Sequence, residues 1–140
     1  MPYVYIAGPL FNTHERRYLD DIANQLEREG FDTFLPQRDA GVITDWNHAT
    51  RKRVFDVDVA ALDRCDICVA LLTGADHDSG TCVELGYLYG LHKPCFGLTD
   101  DLRSDMLNNM VWGACDQGRR VYRSLPELIA ALHAHFQPGA

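Results

Sequence analysis

The sequence predicts a doubly wound, flavodoxin-like α/β fold, a five-stranded parallel sheet with helices on both faces. Three observations lead there. Short apolar runs alternate with helical periodicities five times along 140 residues, as successive strand–helix units do. The run Ile67 to Leu72 is apolar throughout, as a central parallel strand covered on both faces must be. Breakers, among them Gly8-Pro9, Gly30 and Pro36, fall between the runs.

Each element can be read in order. Tyr3 to Ala7 is the first strand. Asn12, with Glu15 three residues on, predicts a capping box that opens a helix. Tyr18, Leu19, Ile22, Ala23 and Leu26 then recur at helical spacing, and Gly30 ends the run. Phe31 to Leu35 is a second strand. A long loop through Gly41 leads to a helix from about Asp45 to Asp63, and Ile67 to Leu72 follows. The turn from Gly74 to Gly80 precedes a helix reaching His92. Pro94 to Leu98 and Arg120 to Tyr122 supply the last strands, and Ser124 to Phe136 the last helix. No repeat, low-complexity tract or linker interrupts this single domain, residues 1–140. In such sheets ligands bind beyond the carboxyl ends of the strands, which singles out the loops Gly8–Asn12, Pro36–Thr44 and Thr73–Thr81.

The composition, 46% hydrophobic and 24% charged, is that of a globular protein. A net charge of −7 argues against a broad nucleic-acid surface or an anionic membrane as partner. No apolar run approaches a membrane span, and the N-terminus enters a strand without a leader-like segment, so a cytoplasmic protein is expected. Five cysteines, an odd number without framework spacing, suit a reducing compartment. Cys65 and Cys68 are expected in one strand, pointing to opposite faces and unable to share a metal. His133 and His135 are expected to be surface or packing residues. Nothing calls for a metal or an organic cofactor.

The chemistry concentrates in carboxylates. Asp78-Ser79-Gly80-Thr81-Cys82-Val83-Glu84 follows the central strand and opens a helix. Glu84 falls in its first turns, where the macrodipole is expected to keep a nucleophilic carboxylate ionised. Gly80 and Gly86 are expected to leave room for a ligand. In the preceding helix Val54, Val57, Ala61 and Leu62 form an apolar stripe. Asp58 points into it, whereas Asp56 and Asp63 point away. A carboxylate on a core-facing stripe is costly unless paired or used. Asp58, Asp78 and Glu84 can therefore converge at one end of the sheet and push one another's pKa values apart. Such a set fits glycoside chemistry, with one carboxylate attacking the anomeric carbon and an acid protonating the leaving group.

At these residues the sequence resembles the nucleoside 2-deoxyribosyltransferase family. The resemblance covers Tyr3-Val4-Tyr5-Ile6-Ala7-Gly8-Pro9-Leu10-Phe11, the Asp58 helix, Asp78 through Tyr87, and Asn108-Asn109-Met110-Val111-Trp112-Gly113. It implies that Glu84 forms a covalent deoxyribosyl intermediate and that Tyr5, at the end of the first strand, orients it. Asp58 and Asp78 would hold the base and the sugar, one of them handling the base proton. Gly8, Phe11 and Gly80 fall among the substrate-binding positions. Asn108 and Met110 match positions that complete a neighbouring subunit's sugar site, which implies a homo-oligomer. Some members also use the terminal carboxylate of an aromatic residue, whereas this sequence has Gln137-Pro138-Gly139-Ala140 there.

Three readings compete. The first is a transferase acting on nucleosides and nucleobases. The second is a hydrolase of nucleosides or nucleoside 5'-monophosphates. Related monophosphate hydrolases carry a Gly-, Ser- and Arg-rich first loop, whereas here no Lys or Arg precedes Arg16. A phosphoribohydrolase family with P-G-G ahead of its glutamate motif fits poorly, since His77-Asp78-Ser79 stands there. The third is a non-catalytic nucleotide-binding module, which has no need of Asp58 on a core-facing stripe.

Overall fold

The computed structural model describes residues 1–74, 77–101 and 107–137. Five parallel strands, β1 (Tyr3–Ala7), β2 (Asp32–Phe34), β3 (Ile67–Leu71), β4 (Cys95–Leu98) and β5 (Val121–Tyr122), form one sheet in the order β2-β1-β3-β4-β5. That order is the doubly wound one expected, and its reversal between β1 and β3 opens a crevice at their carboxyl ends. The helices are α1 (Thr13–Arg28), α2 (Pro36–Asp39), α3 (His48–Arg64), α4 (Ser79–Gly90), α5 (Asn109–Ala114) and α6 (Leu125–Phe136). No helix among the described residues is long and apolar enough to cross a membrane.

Alternation along the strands sorts the interior into two layers. Val4, Ile6, Ile67, Val69 and Phe96 pack with Leu19, Ile22 and Leu26 of α1 and Leu128 and Leu132 of α6. Tyr5, Ala7, Cys68, Ala70 and Cys95 face the other way, toward Ala61 and Leu62 of α3 and Leu85 and Leu88 of α4. A row of paired residues crosses the sheet on this second face: Phe34 beside Tyr5, Tyr5 beside Cys68, and Cys68 beside Cys95.

Several details depart from the sequence reading. Asn12 caps α1 by accepting from the Glu15 N–H at 2.9 Å, but Glu15 Oε1 returns to the Phe11 N–H at 3.1 Å rather than to Asn12. Tyr5 lies in the middle of β1, because the buried Ile6 and Ala7 carry the pairing with β3 two residues further. The expected opposition of Cys65 and Cys68 does not hold. Cys65 is the C-cap of α3, outside the strand, so alternation does not reach it and both thiols join the α3/α4 side. Burial raises the Cys65 thiol to about 11. α2 and α5 were not anticipated, being a single turn after Pro36 and a six-residue helix. His133 meets Glu29 at 2.9 Å and packs beside Phe31, while His135 lies edge-on to Phe96.

Candidate active site

Two helices and one strand build the site. α4 begins where Asp78 Oδ2 accepts from the Thr81 N–H at 2.9 Å and from its hydroxyl at 3.0 Å, satisfying free donors at the helix start. A Cβ on Gly80 would meet Asp78 Oδ2 at 3.2 Å, so this glycine makes room for the cap. Glu84, the sixth residue of α4, points down onto the sheet. There its Oε2 accepts from the hydroxyl of Tyr5. Tyr5 is wholly buried, and its ring is stacked on Phe34 at 5.3 Å, which fixes the hydroxyl in place. The phenol is raised above its ordinary value, first by burial and then by the charge of Glu84, so it remains a donor.

The electrostatics of Glu84 differ from the macrodipole expectation. Its carboxyl is raised to about 8, chiefly by burial, with Asp58 and Asp78 adding to the rise and the Tyr5 hydrogen bond opposing it. Dipole stabilisation fades beyond the first turn, and Glu84 stands in the second, where loss of water outweighs it. Asp58 is raised to about 6, by burial. Its Oδ1 is enclosed and has no hydrogen-bond partner among the described residues, while Val54 and Val57 beside it pack on the core. Asp56 pairs with Lys52, and Asp63 accepts from Tyr87, both outside the site. Asp58 and Asp78 thus both lie within electrostatic reach of Glu84.

The remaining expected residues divide. Gly8 stands at the carboxyl end of β1, but a Cβ there would meet Leu19 Cδ2 at 2.7 Å and Leu71 Cβ at 3.1 Å. Close packing of α1 on the sheet therefore accounts for it. The Phe11 ring is exposed at the mouth of α1. Gly86 has open space above it. Asn108 caps α5 by accepting from the Met110 N–H at 2.8 Å, and Met110 is 82% exposed. Both line a groove of about 670 Å³ with Cys82, Leu85, Gly86 and Tyr89. These α4 positions lie on the side of the helix away from Glu84, so within this chain Asn108 and Met110 do not meet the carboxylates. Residues 138–140, where the sequence departs from the family's aromatic terminus, lie outside the described residues. Sequence reading missed Phe34, whose place beside Tyr5 depends on strand register.

A 2-1-3-4-5 parallel sheet with Glu84 and Asp58 shifted upward beside its switch point defines a class: doubly wound α/β proteins with a carboxyl cluster at that point. Within that class the chain belongs to the nucleoside 2-deoxyribosyltransferase family, whose model matches residues 4–120. It is 31% identical over 108 residues to a nucleoside deoxyribosyltransferase of Limosilactobacillus fermentum, covering 65% of this chain and 61% of that protein. The chain thus spans about three fifths of the length of this curated relative. A conserved protein from Enterococcus faecalis superposes with a TM-score of 0.83 at 26% identity, over 96% of this chain and 99% of that one. A 2-deoxyribosyltransferase from Bacillus psychrosaccharolyticus has the same fold, with a TM-score of 0.78 at 22% identity over 91% and 90% of the two chains.

Proposed function

We infer that this protein is a cytoplasmic nucleoside 2-deoxyribosyltransferase that moves the sugar between nucleobases by retaining double displacement. The observation that carries the reading is the placement of Glu84, held by the Tyr5 hydroxyl at the sheet's switch point beside Asp58 and Asp78. The ionised Glu84 carboxylate attacks C1' as the C1'–N bond breaks, and the departing base takes a proton from Asp58. A second base then attacks C1' through its nitrogen, the Glu84–C1' ester bond breaks, and the acceptor's proton returns to Asp58. Tyr5 orients Glu84 and steadies its charge. Asp78, fixed by its bonds to Thr81, borders the sugar.

In the free site near neutral pH the pair Glu84 and Asp58 holds one proton, mostly on Glu84. The reactive form carries it on Asp58, so catalysis draws on a minority protonation state. The enclosed Asp58 Oδ1 supports this assignment, since an N–H or ring nitrogen of a base supplies the partner it lacks. Asn108 and Met110, turned away from Glu84 in this chain, complete a second copy's sugar site in a homo-oligomer. A catalytically active monomer in sedimentation contradicts that part.

Chromatography of the protein with a 2'-deoxynucleoside, with and without a different free base, tests the function. A new deoxynucleoside formed only with the second base is expected. Free base and deoxyribose released at one rate in both tubes would make the protein a hydrolase instead.

A further inference from the structure

The most basic stretch of this acidic chain, Arg51-Lys52-Arg53, plays no part in the chemistry above. It lies on α3, one turn after the helix starts, along a cavity of about 710 Å³. Trp46, Arg51, Phe55 and Asp58 contribute to its lining. Two of the three cations are engaged: Lys52 pairs with Asp56, and Arg53 Nη1 donates to the Ala40 carbonyl at 3.3 Å. Arg51 is different. Its guanidinium lies 5.2 Å from the centre of the Trp46 ring, and among the described residues it has no acidic partner. Trp46 and Phe55 are 63% and 65% exposed, two large rings that line the cavity.

Arg51, Phe55 and Asp58 follow one another along α3, and Trp46 stands just before its N-cap. Arg51 and Asp58 are seven residues apart, about 10 Å along the axis. Both side chains line the same cavity, so one ligand seated there can meet them both. The Asp58 end wants a hydrogen-bond donor, since Oδ1 has no partner among the described residues. The Arg51 end wants an anion, which a guanidinium meets with two parallel hydrogen bonds to a carboxylate or phosphate. Phe55 between them and Trp46 beside Arg51 offer apolar faces to a planar group.

We propose that this cavity selects nucleobase compounds carrying an anionic group, with Arg51 as the specificity-determining residue. The ligand is a planar heterocycle with an N–H toward Asp58 and a carboxylate or phosphate toward Arg51. This rests on the reading of the site as one that handles nucleobases, and it adds which ones. The anion has two sources, a carboxylate on the base itself or the phosphate of a nucleoside 5'-monophosphate.

Binding is measured without turnover, by quenching of Trp46 fluorescence in a Trp112→Phe background. The titrants are uracil, uracil-6-carboxylate, 2'-deoxyuridine and its 5'-monophosphate. At least one anionic compound is expected to bind about tenfold or more tightly than its neutral counterpart, as loss of a charge-assisted pair implies. Preference within the first pair assigns the anion to the base, and within the second to the phosphate. Arg51→Gln is expected to erase the preference and Arg51→Lys to retain part of it. Equal binding of neutral and anionic members, or a preference that survives Arg51→Gln, overturns the proposal. Base exchange without anion preference refutes only this inference, whereas anion-selective binding without sugar transfer refutes the transferase reading and leaves this one standing.

Discussion

Removing a single hydroxyl, Tyr5→Phe, perturbs the centre of the site and little else. The phenyl ring keeps its stacking on Phe34, while Glu84 loses the donor that opposes the upward pull of burial, Asp58 and Asp78 on its carboxyl. A hydrogen bond to a charged group contributes about 1.5–3 kcal/mol, and about 1.4 kcal/mol corresponds to one pKa unit. The variant's Glu84 therefore rises by about one to two units beyond its value of about 8. The wild-type rate follows a bell, because the reactive form has one proton in the pair. The limbs belong to the pair, ascending near 6 and descending near 8. In Tyr5→Phe the descending limb moves to higher pH by about one to two units. The maximum falls about ten- to a hundredfold, since the form with Glu84 ionised and Asp58 protonated becomes rarer. Initial rates of base exchange from about pH 5 to 10 measure both, with a thermal melt as a control for folding. Loss of rate by one factor at every pH, with both limbs in place, refutes the reasoning.

Glu84→Gln should abolish transfer and stabilise the protein. Between its ordinary value of 4.5 and about 8, native Glu84 holds a proton that the unfolded chain has released. Wild-type stability therefore falls as pH rises through that window and levels off above it. The glutamine removes this cost, so urea unfolding should find the variant more stable by a few kcal/mol near about pH 9 and little different near about pH 4. The opposite order contradicts the assigned shift. Asp58→Asn removes the proton donor and should slow transfer from ordinary deoxynucleosides by about 10²–10⁴. Deoxyribosides whose leaving group departs without a proton should suffer far less, and equal slowing of both kinds contradicts the role. Asp78→Ala should cost about 0.5–2 kcal/mol of stability through loss of the α4 cap, and an unchanged denaturation midpoint contradicts its bonds to Thr81.

Legibility in the sequence followed the reach of local rules. The doubly wound parallel sheet came from alternation and from the unbroken apolar run at Ile67–Leu72, since parallel strands joined by helices admit few arrangements. Asp58 was legible because a single carboxylate on an apolar stripe conflicts with burial. The protonation of Glu84 was not, because it depends on how deeply α4 sets the carboxyl against Tyr5, a tertiary distance with no local signature. The two thiols failed for a similar reason: Cys65 lies two residues before β3 begins, and strand periodicity does not extend into a helix cap. α5 was invisible as a six-residue segment too short for a helical period, although its Asn108 cap is plain in hindsight.

Peptide mapping of enzyme quenched during turnover tests the central claim most directly. With a 2'-deoxynucleoside and no acceptor base, the account predicts one deoxyribosyl group added to the peptide containing Glu84, removed when a base is supplied and absent from Glu84→Gln. A sugar adduct on another residue, or undiminished transfer by Glu84→Gln, would contradict it.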